Sequence, residues 1–354
     1  MDRMRAGFIG AALALALTSA SVDAASSCKL AQVAEWRVLS SRGIPVLEGF
    51  VNGRKVVVGL DTGGLTMMFR PASDRLGLTR QVARQYRVFG VGGETYVESA
   101  MVDEFRIGSL VRRNWQVMVA GERASGIDLL LGADVFDKTD VEFDLPHGAV
   151  RLFQPRDCEG VALAYWAPQT ASQVDVEGGS RIDVAVRING QAVRAELDSG
   201  SSTSVLDKAL AEHLGLVPDS ADAATSGKGT GVGAKTVDWR LAPLHSFAIG
   251  DETISDTVIR VADLWKDAAT TSRGGLLPDR IEGTPKILLG SDFLRAHRVF
   301  VANSQHRMYF TYEGGPVFDS REQSAGRDAP SDPQAQPAEA APPGGIEKSG
   351  TRAN

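Results

Sequence analysis

The sequence predicts an all-β chain built from two homologous halves. Glycine is abundant, 38 residues in 354 against 15 prolines, and long helix-forming runs are few. β-prone runs meet at Asn-Gly dipeptides, the strongest short-range sign of a hairpin. These features recur in the same order, at a spacing that grows from 137 to 158 residues. A repeat that long is a duplicated domain and not a solenoid unit.

Composition narrows the function classes. Apolar residues make up 43% and charged residues 23%, as in ordinary globular proteins. A net charge of −6 argues against a nucleic-acid or anionic-membrane binder. His147, His213, His245, His297 and His306 show no ligand spacing, and two cysteines cannot build a zinc cluster. No metal and no cofactor is expected.

The chain opens like a secretory signal over residues 1–24. Arg3 and Arg5 precede an apolar run over 7–17, and Val22-Asp23-Ala24 offers small residues for cleavage. A periplasmic or secreted protein is therefore expected, with no integral membrane segment after cleavage. In that setting Cys28 and Cys158 are free to form a disulfide. It would close a loop of about 130 residues and contribute up to roughly 4–5 kcal/mol; two unpaired buried thiols are the other reading. Residues 25–43 form an N-terminal segment that could serve as a propeptide.

The first unit, over 44–154, opens with Val46-Leu47-Glu48-Gly49-Phe50-Val51 and turns at Asn52-Gly53. Val56-Val57-Val58-Gly59-Leu60 then leads into Asp61-Thr62-Gly63. After a linker over 155–180, the second unit, over 181–317, runs from Ile182 to Ile188 and turns at Asn189-Gly190. Ala192 to Leu197 follows, and then Asp198-Ser199-Gly200. Both turns predict type I′ hairpins. Short helices are expected to end at Leu76-Gly77-Leu78 and Leu214-Gly215-Leu216. Glycine-rich turns come next, Gly90-Val91-Gly92-Gly93 and Gly231-Val232-Gly233-Ala234. Phe105-Arg106-Ile107-Gly108 answers Phe247-Ala248-Ile249-Gly250, and Leu129-Leu130-Leu131-Gly132 answers Ile287-Leu288-Leu289-Gly290. The spacing jumps by 16 residues before the last pair, so the second unit carries an insertion around 263–285. Residues 318–354 are rich in proline, alanine, glycine and charge and read as a disordered tail.

A lone Asp-Thr/Ser-Gly is a weak signal. A duplicated one, each copy after a hairpin and before a glycine-rich turn and an apolar-Gly strand, is specific. This pattern resembles the aspartic peptidases, most closely their retropepsin-like bacterial members, over about residues 44–312. The resemblance implies a bilobal pepsin/retropepsin-like acid protease fold with two β-barrel-like halves related by a pseudo-two-fold axis. It implies Asp61 and Asp198 as the catalytic pair, with Thr62, Gly63, Ser199 and Gly200 as their support. Thr62 and Ser199 would hydrogen-bond across the axis. Gly90 to Gly93 and Gly231 to Gly233 would be flaps closing over a peptide, and the inserted loop would shape substrate preference.

Physics explains the duplication. Two carboxylates about 4 Å apart repel by roughly 4 kcal/mol at an effective dielectric of 20, or about three pKa units. They therefore share one proton and carry acid and base together. The expected function is an aspartic endopeptidase acting on exported or membrane-anchored proteins, as a monomer that is an intramolecular pseudo-dimer. An inactive peptide-binding protein of the same fold is the alternative. Gly64 follows the first triplet where Ser201 follows the second, and is expected to loosen the first loop.

Other motifs carry less. The run from Gly229 to Thr236 superficially fits nucleotide motifs but lacks the strand before and helix after that they require. Asp134 and Asp292 are expected to cap or orient the short helices after the apolar-Gly strands, and Ser201, Ser202 and Ser204 to serve as helix caps. Trp115, Trp239 and Trp265 are expected in the core or cleft wall.

Overall fold

The computed structural model describes residues 28–121, 126–177, 181–216, 226–233, 235–266 and 284–318, with 179 and 218. The expected signal, most of the tail and most of the insertion lie outside them. Both Asn-Gly turns take the conformation that forces the type I′ hairpin. Asn52 and Gly53 have φ of 48° and 76°, and Asn189 and Gly190 have 48° and 83°.

From those hairpins grow two seven-stranded sheets of identical order. The first runs Val46–Val51, Arg54–Asp61, Leu129–Gly132, Met67–Met68, Leu110–Val119, Gly93–Ile107 and Arg80–Gly90. It curls shut where Phe50 pairs with Arg106 and Val51 with Phe105. The second runs Asp183–Ile188, Gln191–Leu197, Ile287–Leu289, Val205–Asp207, Glu252–Ala262, Thr236–Ile249 and Ser226–Thr230. It closes at the matching place, Val186 on Ile249. The chain is thus an all-β protein of two barrel-like lobes, the bilobal pepsin-like arrangement.

A third set of strands joins the lobes. Its order is Lys29–Arg37, Ala149–Arg156, Asp140–Asp144, His297–Ala302, Arg307–Tyr312 and Ser172–Glu177, all antiparallel. At its centre Val141 and Phe143 of the first half pair with Val301 and Val299 of the second. Their side chains continue one apolar core that runs through both lobes. The fully buried carboxylate of Glu142 locks the same seam. It accepts hydrogen bonds from Arg151 Nη1 (2.9 Å), Arg298 Nε (2.6 Å) and Tyr165 Oη (2.9 Å). Breaking such a buried, fully paired group is costly because a charge is left unsolvated.

The structure pins the N-terminal segment and moves one boundary. Within residues 25–43, Lys29–Arg37 is an edge strand of the joining sheet. Arg295 Nη1 also donates to the carbonyls of Ser41 and Gly43 (3.0 Å each). A disulfide links Cys28 to Cys158 beyond this strand. Removing the segment would unzip the sheet that holds the lobes together. Phe318, placed at the start of the tail, is buried and packs edge-on against Phe247 at 5.0 Å.

Candidate active site

Each aspartate stands where a hairpin strand meets a parallel neighbour. Asp61 ends Arg54–Asp61 and pairs with Gly132, while Asp198 follows Leu197, which pairs with Leu289. Alternation sends Leu60 and Leu197 into the core and turns both carboxyls to the opposite face, toward the other lobe. There each carboxyl lies against the other lobe's triplet, close enough for the two to interact electrostatically.

The backbone around them is built for close approach. A Cβ at Gly63 would lie 2.5 Å from Asp198 Cγ, and one at Gly200 would overlap the Asp61 carboxyl. Glycine at these positions lets each loop press against the opposite acid. Beneath the carboxyls, the Thr62 N–H donates to Ser199 Oγ (3.0 Å) and the Ser199 N–H donates to Thr62 Oγ1 (2.9 Å). Thr62 Oγ1 in turn donates to the Leu197 carbonyl (2.6 Å). Both side chains are fully buried, so these cross-lobe bonds fix the spacing of the pair.

The two acids are not equivalent. Asp198 Oδ1 accepts N–H bonds from Gly200 (2.8 Å) and Ser201 (3.1 Å). Burial, then repulsion from Asp198, holds the Asp61 carboxyl well above the usual carboxylate range. Burial raises Asp198 as well, against the pull of its backbone donors. The backbone donors on Asp198 favour its ionised form over that of Asp61.

Gly64 contributes to this asymmetry in a way the sequence did not suggest. A Cβ there would lie 2.5 Å from Asp61 Oδ2, so the glycine leaves room for the carboxyl and does not merely loosen the loop.

Asp134 and Asp292 clamp the loops after the triplets. Asp134 Oδ1 accepts the Thr66 N–H (2.8 Å), and Asp292 accepts the Ser204 N–H (2.8 Å) and hydroxyl (2.7 Å). The N-cap residues are Gly132 and Gly290, yet Asp292 Oδ1 also accepts the first-turn Phe293 N–H (2.9 Å), so it satisfies a helix donor while it clamps the loop. The serines are not helix caps, since Ser201 Oγ donates to the Thr203 carbonyl and Ser204 Oγ to Asp292.

A third carboxyl escaped sequence reasoning. Glu196 lies two residues before Asp198, on the same strand face, and is 2% exposed. Its Oε2 has no hydrogen-bond partner. Burial and the nearby Asp198 push it up to about 8, against the pull of Arg181 Nη1 3.8 Å away. Strand alternation alone marks it as an inward position, but nothing local shows that the inward face is dry. Its counterpart in the first half is Gly59, where a Cβ would meet Ile44, Leu130 and Ile127.

The glycine-rich hairpins meet at their tips between the lobes. The Lys235 N–H donates to the Gly92 carbonyl (3.0 Å), with Gly231 against Val91 and Gly233 against Gly92. Val91 packs with Val237, Ala262, Leu264 and Leu288 of the second lobe. Val232 packs with Met67, Phe69, Ala120 and Leu130 of the first. Each tip thus lies on the other lobe's wall. Trp115 is a core residue, while Trp239 and Trp265 line the second wall. The run from Gly229 to Thr236 is this second hairpin, with strands on both sides. Among the described residues no cluster of His, Cys, Asp or Glu has metal-binding geometry.

Comparison with known proteins agrees with this geometry. The family model described as Aspartyl protease matches residues 47–135 and 184–293. These segments are the two seven-stranded lobes, and the joining sheet falls mostly outside them. No curated protein matches the chain. Among solved structures it is similar to the aspartic proteinase from Irpex lacteus, at 12% identity and a TM-score of 0.44, covering 80% of this chain and 97% of that one.

Proposed function

Because the chain belongs to the aspartyl protease family, we propose that it is an active endopeptidase that uses Asp61 and Asp198 to hydrolyse peptide bonds. The single observation that carries this is the close approach of two carboxyls from different lobes, each pressed against the glycine of the other's triplet.

The roles follow from the asymmetry of the pair. Asp198, ionised and steadied by backbone N–H groups, takes a proton from water as the oxygen attacks the scissile carbonyl carbon. Asp61 donates its proton to the carbonyl oxygen, so the tetrahedral intermediate is neutral. Asp198 then passes its proton to the amide nitrogen, the C–N bond breaks, and Asp61 recovers its proton as the carbonyl reforms. No covalent intermediate is needed.

The substrate is an extended stretch of another exported or membrane-anchored protein. The signal-like residues 1–24 support a periplasmic or secreted setting, and the disulfide suits one. Among the described residues no helix is long and apolar enough to cross a membrane. Both halves of the dyad reside in one chain, which makes a monomer sufficient.

Unfolded casein incubated with the protein between pH 4 and 7, with and without pepstatin, tests the reading. Cleavage should be blocked by pepstatin and lost in Asp61→Asn. Cleavage that survives this substitution rules out the dyad, and peptide binding without turnover leaves the inactive alternative.

A further inference from the structure

The lobes differ in the row of side chains that leads to each aspartate. In the first lobe Val46 pairs with Gly59, and Asp61 stands two residues on. In the second the same register sets Asp183 opposite Glu196, with Asp198 two residues on. Ala195 and Leu197 enter the core on one side of this strand, so Glu196 and Asp198 share the other. Successive positions on one face of a strand lie roughly 7 Å apart. The first row ends in a single carboxyl, with Ile44, Ile127 and Leu130 around Gly59. The second is a line of three.

Charges face Glu196 from each element around it. Asp198 lies ahead on its own strand, and Asp61 acts from the first lobe. Asp183 is its partner on Asp183–Ile188, and Arg194 and Glu177 act on Asp183 in turn. Arg181, just before that strand, holds Nη1 3.8 Å from Glu196 Oε2. On the other flank Leu288 is the strand partner, and Lys286, two residues earlier, lies with its Nζ 3.7 Å from Asp207. Glu196 is 2% exposed and Asp61 and Asp183 are buried, so solvent screens these charges weakly.

We propose that Glu196 is a positioning residue for the dyad's proton: once ionised, it opposes loss of the proton that Asp61 and Asp198 share, and so extends cleavage to higher pH. This rests on the peptidase reading of the dyad. A pair with one proton offers both an acid and a base, whereas a doubly ionised pair has no acid left for the carbonyl oxygen. Arg181 favours the charged form of Glu196, so Glu196 releases its proton ahead of the pair. A third negative charge on the same dry face then makes release from the pair harder. Gly59 supplies no such charge, so the effect comes from the second lobe alone.

The test follows kcat/KM on unfolded casein from pH 3 to 10 for wild type, Glu196→Gln and Glu196→Asp. The alkaline limb of Glu196→Gln should fall roughly one to two pH units below that of wild type, with the acid limb in place. Glu196→Asp, which keeps the charge, should recover most of the difference. In parallel, carbon-13 NMR of protein labelled at aspartate Cγ reads the pair without turnover, its signals assigned through Asp61→Asn and Asp198→Asn. The later titration step of the pair should move down by the same amount in Glu196→Gln. A limb and a titration that stay in place in Glu196→Gln, or a rate lowered by one factor at every pH, overturn the proposal. An equal shift in Glu196→Asp overturns it too, because the charge is then not the agent. A protein that cleaves nothing, yet whose pair titrates lower in Glu196→Gln and near wild type in Glu196→Asp, overturns the peptidase reading and leaves the role of Glu196 standing.

Discussion

The two lobes share a strand order, a hairpin turn and a closing pair, yet they surround the dyad with different chemistry. Below the carboxyls the first lobe has Gly59 packed by Ile44, Ile127 and Leu130, and the second has buried Glu196. Beside them the first has Gly64, the second Ser201. Backbone geometry, which both halves need to bring two acids together, is kept. Side chains that set charge around those acids have diverged. A duplicated fold can thus hold a symmetric frame and still give its two aspartates separate jobs.

Perturbing the shared frame should have the largest effect and should not distinguish the lobes. Gly63→Ala and Gly200→Ala each drive a methyl into the opposite carboxyl. A displacement of about 1 Å at a reacting group costs roughly a hundredfold in rate. Casein turnover should therefore fall by about that factor in both, with kcat carrying the loss and far-UV circular dichroism unchanged. A large effect in one and none in the other would mean that only one loop sets the spacing.

Exchange at the next position should break the symmetry. Ser201→Gly removes a side chain whose hydroxyl donates only to the Thr203 carbonyl, and should cost about 0.5–1.5 kcal/mol of stability. Gly64→Ser puts a Cβ 2.5 Å from Asp61 Oδ2 and should lower kcat by roughly tenfold. Equal kcat values in the two variants would show that the loops tolerate exchange.

The smallest effect concerns pH. Glu196 has an ordinary value of 4.5, raised to about 8 in the fold. Between these values the native state keeps a proton that the unfolded chain has released, so stability falls as pH rises through that window. Glu196→Gln removes this contribution. Its Tm should match wild type near pH 4 and exceed it by roughly 5–10 °C at pH 8. A difference that does not grow with pH would mean that Glu196 is ionised in the native protein.

Legibility in the sequence follows the range of the interaction. The Asn-Gly hairpins, the paired triplets and the glycine-rich turns are local patterns, and the structure forms each of them where its residues stand. The joining sheet was not legible, because Val299 meets Phe143 across the whole second lobe with no local signal. The same holds for Asp134 and Asp292. Their position at a helix start suggested a role there, and Asp292 does accept the Phe293 N–H, but their partners Thr66 and Ser204 come from distant segments. Glu196 reads as a polar residue in an alternating strand; only the cross-strand register shows what it faces.

The bond from Lys235 to the Gly92 carbonyl makes the two hairpins a single arch, with one foot in each lobe. A polypeptide gains the floor beneath it only by being threaded lengthwise or by waiting for the span to come apart. Helices and paired strands in a target are too thick for the first route. On the peptidase reading proposed above, the bonds cut would follow where a target frays as much as what side chains it displays.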